Sequence, residues 1–296
     1  MVKLICLRIV LWFLSKGNSM SYLYDECEEV RQALMESAKI LIKETDSHKK
    51  PSLLIIANNT FAGHAYVRNK VKACEKLGID VNVVEVSYDG LSYPSSFLEN
   101  VETIIKSNED ATGIIIQQPL TNFPHLNTTC INLIPIHQDV DGLRRESWEK
   151  CLPATALGIM TYLSYNFELR EPKNVTLIGR SELVGSPLAY ELMKMRNVTL
   201  TCCNSTTKDL KLHTKNADIV IVAVGKAKFI KAGMIKEGAL VIDVGINKDE
   251  ETGKLCGDVD PEVAKIARVT PVPKGVGLLT VASLMFNVAD AWASKN

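Results

Sequence analysis

The chain is predicted to be an α/β protein of two domains, each a parallel sheet with helices on its faces. Three observations carry this. Short Val- and Ile-rich runs alternate with segments of helical period in two separate sets. A polar stretch at 134–158, punctuated by Pro135, Gly142 and Pro153, divides one set from the other. The 296 residues, 46% hydrophobic and 23% charged, make an ordinary globular composition long enough for two domains.

The N-terminus opens with "LICLRIVLWFL" (4–14), an apolar run interrupted by Arg8. It is too short to span a bilayer, and "SKGNSMSYL" offers no small-x-small cleavage site. Met20 is the expected natural start, with residues 1–19 an upstream or extraneous segment outside the fold. A helix is expected over 22–45. The runs "SLLIIAN" (52–58), "VNVVEV" (81–86) and "GIIIQQ" (113–118) read as buried strands, with helices at 65–79 and 95–107 between them. This is a βαβαβ unit, and right-handed crossovers make its sheet parallel. Beyond the break come a helix at 156–165 and a turn at Pro172. Strands follow at "VTLIG" (175–179), "VTLTCC" (198–203), "IVIVAVG" (219–225) and "ALVIDVG" (239–245). A loop with two prolines and two glycines then leads into the last helix, and the cleft between the two domains is the default ligand site.

The stretch "AYVRNKVKACEKLGI" (65–79) holds three lysines and one arginine within nine positions. On a helical wheel Val67, Val71 and Cys74 form the apolar stripe that docks on a core, while Arg68, Lys72 and Lys76 face away from it. Lys70 sits on the stripe's border, one turn after Tyr66. By itself that position suits a lysine whose stem lies along a core edge.

With 34 basic and 34 acidic side chains, the chain has no electrostatic footprint for nucleic acid or an anionic membrane. The eight cysteines form no CxxC pair and no Cys/His ligand spacing, so no metal site is expected. Several lie in apolar periodic segments as free thiols, which fits a reducing compartment and a cytoplasmic protein. The five Asn-x-Ser/Thr sequons mostly abut predicted strands and are read as accidental.

Strand 175–179 runs directly into "GRSELVGSPLAYELM". Gly179 and Gly185 bracket a tight strand-to-helix turn, and Ser181 is placed to cap the following helix. Such a helix start presents free N–H groups to a phosphate. The spacing departs from GxGxxG, so the turn alone leaves an ordinary βα connection open. The next strand ends in "CCNSTTKDL", with no acid before Asp209 to hold a ribose 2′-hydroxyl. Arg180 stands at the turn, where a guanidinium grips a 2′-phosphate, and Ser205, Thr206 and Thr207 add hydroxyls. These residues favour NADP over NAD.

Taken together, "YVRNK" (66–70), "IIIQQPL" (114–120), "DVDG" (139–142), "IGRSELVGSPL" (178–188), "VIDVGIN" (241–247), "GDV" (257–259) and "TPVPKGVGLLTVASLM" (270–285) resemble the methylenetetrahydrofolate dehydrogenase/methenyltetrahydrofolate cyclohydrolase family, in family order. The likeness runs from about residue 50 to the C-terminus. It implies an enzyme of one-carbon metabolism that oxidises 5,10-methylenetetrahydrofolate with a nicotinamide cofactor, then hydrolyses the methenyl product to 10-formyltetrahydrofolate. A monofunctional relative, and a non-catalytic folate- or nucleotide-binding one, are the alternatives. The resemblance implies a homodimer whose folate-binding catalytic domain is 20–153 plus 280–296, with a Rossmann-like NADP-binding domain at 154–279. The last helix would pack back on the first domain. Lys70 would be the catalytic lysine, Tyr66 would stack on the aminobenzoyl ring, and Gln117 would hydrogen-bond Lys70. Asp141 would accept from the pterin, with Pro119 and Gly277 also at the substrate and Asp139 structural. Gly179, Arg180, Ser181, Gly185, Ser205 and Ile246 would hold NADP.

The chain departs from the family pattern at several positions. Gly63 replaces a serine, Gln138 a lysine, Lys274 a glycine and Leu278 a proline, and "PATA" (153–156) stands where "PCTP" is usual. A glycine is used for positive φ or close ligand approach, so Lys274 is expected to need a compensating partner such as a folate glutamate tail or a cofactor phosphate.

Overall fold

The computed structural model describes residues 23–58, 61–88, 94–166 and 168–295, the side chains of 61–65 excepted. The expectation for residues 1–19 lies outside the described residues. The chain divides into two compact units, one of Leu34–Ala154 with Val281–Asn296, the other of Thr155–Thr280 with the described part of Met1–Ala33.

The first unit is built on a three-stranded sheet ordered β2-β1-β3, from β1 (Ser52–Asn58), β2 (Asp80–Val86) and β3 (Gly113–Ile116). Both pairings are parallel, with Leu53 opposite Val81 and Gly113. Successive side chains of β1 point to opposite faces. Leu53, Ile55 and Ala57 join one core cluster with Val67 and Cys74 of α2 (Phe61–Leu77). Leu54 and Ile56 join another with Phe97, Val101 and Ile105 of α3 (Pro94–Lys106) and Cys130 of α4 (Pro124–Leu133). Strand β3 stops at Ile116, two residues before the end its sequence suggested, and Pro119 just beyond carries no N–H for a ladder. Helix α4 was not expected from its sequence.

The second unit holds a five-stranded parallel sheet ordered β10-β7-β6-β4-β5. Its strands are β4 (Lys173–Ile178), β5 (Val198–Cys203), β6 (Ile219–Val222), β7 (Leu240–Asp243) and the short β10 (Arg268–Val269). A hairpin of β8 (Asn247–Lys248) and β9 (Leu255–Cys256) lies beside it in sequence. The chain passes from β4 outward to β5, then crosses to β6 on the other side of β4. Strand order therefore reverses at β4, and ligands of open α/β sheets bind at the carboxyl ends beside such a reversal. Helix α5 (Ala154–Tyr165) precedes β4, α6 (Gly185–Met193) connects β4 to β5 and α7 (Leu210–Lys215) connects β5 to β6.

Helix α1 (Leu23–Glu44) begins in this second unit, although residues from 20 onward were expected in the first. Its opening turns are tied to α5: Tyr162 donates to Glu26 Oε2 at 2.6 Å and Tyr165 to Glu29 Oε2 at 2.9 Å. Helix α8 (Val276–Lys295) is the one described helix long and apolar enough to cross a membrane by length and composition, yet most of that window is buried. Its Leu284, Met285 and Val288 fill the core around Leu53 and Ile55, as the resemblance implied for the last helix.

Candidate active site

Helix α2 presents its charges as the wheel orders them. Arg68, Lys72 and Lys76 are exposed, Val67 and Cys74 are buried and Val71 packs beside them. Lys70 is buried, with 7% of its surface exposed. A lysine is almost never buried unless paired, and here its Nζ lies 4.0 Å from Asp141 Oδ2. Neither group makes a side-chain hydrogen bond to a described residue. Tyr66, one turn earlier, is 43% exposed, and partial burial raises its phenol above the ordinary value.

Gln117 continues the ladder past β3, its N–H donating to Ile56 O at 2.8 Å. The hydrogen bond expected from Gln117 to Lys70 is not formed. Its Nε2 donates instead to Gln118 O at 3.2 Å, and its buried Oε1 has no partner among the described residues. The charged Asp141 is a stronger attractor of an ammonium than a neutral amide oxygen. Pro119, exposed after its cis bond to Gln118, accepts at its carbonyl from Asn58 Nδ2 at 2.7 Å.

Asp141 is aimed by the loop before and after it. A bridge between Ile114 and Asp139 runs this segment parallel to β3, so Asp141 falls near the strand's carboxyl end. Asp139 is the structural member of the pair: buried, it accepts from Leu143 N, Arg144 N and Ser147 Oγ at 3.2, 2.9 and 2.8 Å. Burial pushes its carboxyl up and these bonds oppose that rise. Gly142 has φ +67°, and a Cβ there would come within 2.6 Å of Cys151 O and Pro153 N. From α8, Asn287 Nδ2 holds Val140 O at 2.9 Å and Leu152 O at 3.1 Å. Gln138 replaces the family's lysine with a buried amide whose Nε2 reaches the carbonyls of Asn108, Glu109 and Ala111.

In the second unit the turn after β4 is as tight as its glycines implied. Gly179 has φ +109°, and a Cβ there would overlap Ala223 O, while one on Gly185 would overlap Gly179 O. Ser181 does not cap α6. The residue at the cap is Val184, with no side-chain cap, because Ser181 lies too far upstream; its carbonyl accepts from Ser186 N at 2.9 Å. Arg180 is exposed at the turn and meets no carboxylate among the described residues. Gly179 N donates to Cys203 O at 2.9 Å, which brings the 204–207 loop alongside. Ser205 is exposed there. Thr206 Oγ1, offered earlier as a ligand donor, is occupied by Asn204 Oδ1 at 2.6 Å, and Thr207 Oγ1 accepts from Asn204 N at 2.9 Å. Ile246 is half-exposed, and Gly277 lies so near that a Cβ on it would be 3.9 Å from Ile246 Cδ1.

Lys274 adopts φ +77°, the left-handed conformation that a glycine takes without strain. Its compensating partner in this structure is Tyr24, whose ring centroid lies 5.6 Å from Nζ. Leu278, in the first turn of α8, donates its N–H to Gly275 O at 3.0 Å, a bond a proline lacks. Gly63 lies in the first turn of α2, where side-chain surroundings are outside what is described.

The "VIDVGIN" and "GDV" motifs turn out to be one construction. Asp243 accepts from Gly245, Asp258 and Val259 N–H groups at 3.0, 2.9 and 2.9 Å. A Cβ on Gly257 would overlap the Asp243 carboxylate, and one on Gly245 the Asp258 carboxylate. Each motif's glycine makes room for the other's acid. Burial, with the neighbouring Asp258 adding to it, raises Asp243 to about 6 despite its three donors. Spacing gave no signal for this pairing.

Two family models match the chain: "Tetrahydrofolate dehydrogenase/cyclohydrolase, catalytic domain" over residues 26–141, and "Tetrahydrofolate dehydrogenase/cyclohydrolase, NAD(P)-binding domain" over 153–296. The chain belongs to the tetrahydrofolate dehydrogenase/cyclohydrolase family. A "Bifunctional protein FolD" of Caldicellulosiruptor saccharolyticus is 40% identical over 280 residues, 90% of this chain and 98% of that protein. The crystal structure of the bifunctional FolD enzyme from Campylobacter jejuni superposes with a TM-score of 0.80 at 32% identity, covering 94% of this chain and 100% of the other. That of the Trypanosoma brucei enzyme, complexed with NADP cofactor and inhibitor, gives 0.79 at 27% identity over 94% and 98%. The family thus accounts for both units: a tetrahydrofolate dehydrogenase/cyclohydrolase catalytic domain and an NAD(P)-binding domain on a parallel sheet.

Proposed function

We propose that this family member carries both activities: oxidation of 5,10-methylenetetrahydrofolate to the methenyl form with NADP, and hydrolysis of that product to 10-formyltetrahydrofolate. The observation that carries the reading is the buried Lys70 beside Asp141, held at attraction distance with the hydrogen-bonding capacity of both left for a ligand.

Lys70 supplies up to three N–H donors on a compact charge. Its role is to polarise the folate's reacting centre and to orient the water that adds to the methenyl carbon. That water gives up both protons, one to N5 as the bond from N5 to the carbon breaks and one to solvent, and its oxygen becomes the formyl oxygen. Asp141 accepts from the pterin's amino group and ring N–H, a two-point geometry suited to a carboxylate. Tyr66, exposed along one side of α2, stacks on the aminobenzoyl ring. Gln117 Oε1, buried and without a partner among the described residues, accepts a donor from the bound folate. Pro119 contributes close backbone approach.

The residues of the second unit fit NADP. The Gly179–Gly185 turn gives the backbone clearance a phosphate needs, Arg180 and Ser205, unpaired among the described residues, suit a 2′-phosphate, and Ile246 offers an apolar contact. When bound, NADP takes the hydride from the methylene carbon; the protein's part is orientation. A homodimer in the cytoplasm is included in the proposal on the strength of the resemblance, and light scattering of the purified protein tests the dimer.

Absorbance with methylenetetrahydrofolate and either NADP or NAD tests the oxidation, and decay of the methenyl chromophore tests the hydrolysis. Turnover in both with NADP preferred is the expected result. Turnover in one alone makes the protein monofunctional, and folate binding without turnover makes it a regulatory relative.

A further inference from the structure

The Asp258 side chain is fully buried, yet no catalytic or ligand-binding role described above uses it. Three successive backbone N–H groups close on it. Val224 and Gly225 donate to Oδ2 at 2.7 and 3.0 Å, and Lys226 donates to Oδ1 at 2.8 Å. A fourth donor, Asn247 Nδ2, reaches Oδ1 at 2.9 Å. The main chain is as firmly held: Asp258 N donates to Asp243 Oδ1 at 2.9 Å, and its carbonyl accepts from Ile230 N at 3.0 Å.

Consecutive N–H groups turned to one point at a strand's carboxyl end form a nest that holds an anion. Here the chain supplies that anion itself, so the nest is a lock on the loop rather than a phosphate site. The two segments it joins are the ones that matter at the reversal of strand order. Residues 223–226 leave β6, and Ala223 N is bonded to Ile178 O at 2.9 Å, immediately before the Gly179 turn. Asn247 directly follows Ile246, the proposed apolar cofactor contact. We propose that Asp258 is a positioning residue for the dinucleotide, fixing the 223–226 loop and the Ile246–Asn247 segment against each other so that the crevice beside β4 keeps its width. This rests on the NADP reading of that crevice.

The two activities give a readout that a merely structural role would not move. Hydride transfer needs the dinucleotide; hydrolysis of added methenyltetrahydrofolate consumes none. Asp258→Asn keeps the shape but turns an amide N–H₂ towards one set of donors, and Asn247→Ala removes a single bond. For Asp258→Asn we expect NADP affinity, measured by titration calorimetry, and the ratio of dehydrogenase to cyclohydrolase activity each to fall about ten-fold, as loss of a buried charge-assisted hydrogen bond implies. For Asn247→Ala the corresponding fall is about three-fold, the scale of one weaker hydrogen bond. A folded Asp258→Asn variant with unchanged NADP affinity, or with both activities reduced in parallel, overturns the inference. If that variant does not fold, unchanged NADP affinity in Asn247→Ala overturns it. Wild-type protein that binds no NADP overturns the reading of the crevice and this inference with it, whereas wild-type binding matched by both variants overturns this inference alone.

Discussion

Lys70 Nζ and Asp141 Oδ2 stand 4.0 Å apart, close enough to attract and too far to share a hydrogen bond. A closer pair would consume donors and acceptors of both groups. At this separation each charge offsets the burial of the other, while neither spends a side-chain hydrogen bond on a described residue. The spacing follows from the scaffold: α2 fixes one partner on its core-facing border, and the bridge from Asp139 to Ile114 fixes the other at the end of β3.

Replacing Lys70 therefore separates chemistry from folding. Lys70→Met keeps the stem's volume on the stripe border and leaves Asp141 within reach of solvent. Hydrolysis of methenyltetrahydrofolate should fall by about 100-fold or more, the scale of a lost proton-handling group, with the circular dichroism spectrum unchanged. Hydrolysis within a few-fold of wild type would rule out the role given to Lys70.

Gln138 shows what the family's lysine can be exchanged for. Its buried amide donates to three carbonyls at the end of α3, and that of Glu109 has no other partner among the described residues. Gln138→Leu should lower stability by about 2 kcal/mol, the cost of a buried unsatisfied group. Gln138→Glu, equal in shape but without donors, should lose more. Chemical denaturation gives both values, and a Glu variant as stable as wild type would show that the three bonds contribute nothing.

The inner strands of both sheets were legible because parallel strands buried on two faces read as continuous Val and Ile runs, and "SLLIIAN" occupies Ser52–Asn58 as its residues suggested. By contrast β2, read as buried, is an edge strand and largely exposed. Lys70 was legible as a border position, and its burial agrees with the helical wheel. What failed depended on contacts that no local pattern encodes. Helix α4, "PHLNTTCINL", mixes threonine and asparagine with few strong helix formers, and it stands because Cys130 packs in the core. Strand β10 has two residues, too few for a period. Ser181 fits a cap by residue type, yet the turn's length places Val184 there. The Asp243–Asp258 construction joins backbone groups from distant segments, so spacing along the chain was silent about it.

Lys274 offers a test of backbone strain against side-chain contact. Its φ of +77° disfavours any residue with a Cβ, and its ammonium lies over Tyr24. Lys274→Ala removes the ring contact and keeps the strain, whereas Lys274→Gly removes both. The glycine variant should be more stable than the alanine variant by about 1 kcal/mol, the left-handed penalty less glycine's entropy. Thermal melts compare them, and equal stabilities would mean that the loop relaxes around residue 274.

Asp243 makes stability depend on pH in an unusual direction. Burial raises its carboxyl from 3.8 to about 6, with Asp258 beside it, Thr270 Oγ1 accepting from its own N–H, and three backbone donors opposing the rise. Between those values the folded protein holds a proton that the unfolded chain has released. The group's contribution is thus fully present below its unfolded value and is lost as pH rises through about 6. Asp218 and Asp260, held low by hydrogen bonds from Lys236 and Lys231, act oppositely, and their stabilisation fades only as pH falls through the lower carboxylate range. Relative to Asp243→Asn, which cannot titrate, the wild type should gain about 1 kcal/mol between roughly pH 7.5 and pH 5. Paired denaturation curves at the two pH values measure it; a gap that stays constant, or that widens against the wild type in acid, would place the Asp243 carboxyl at or below its ordinary value.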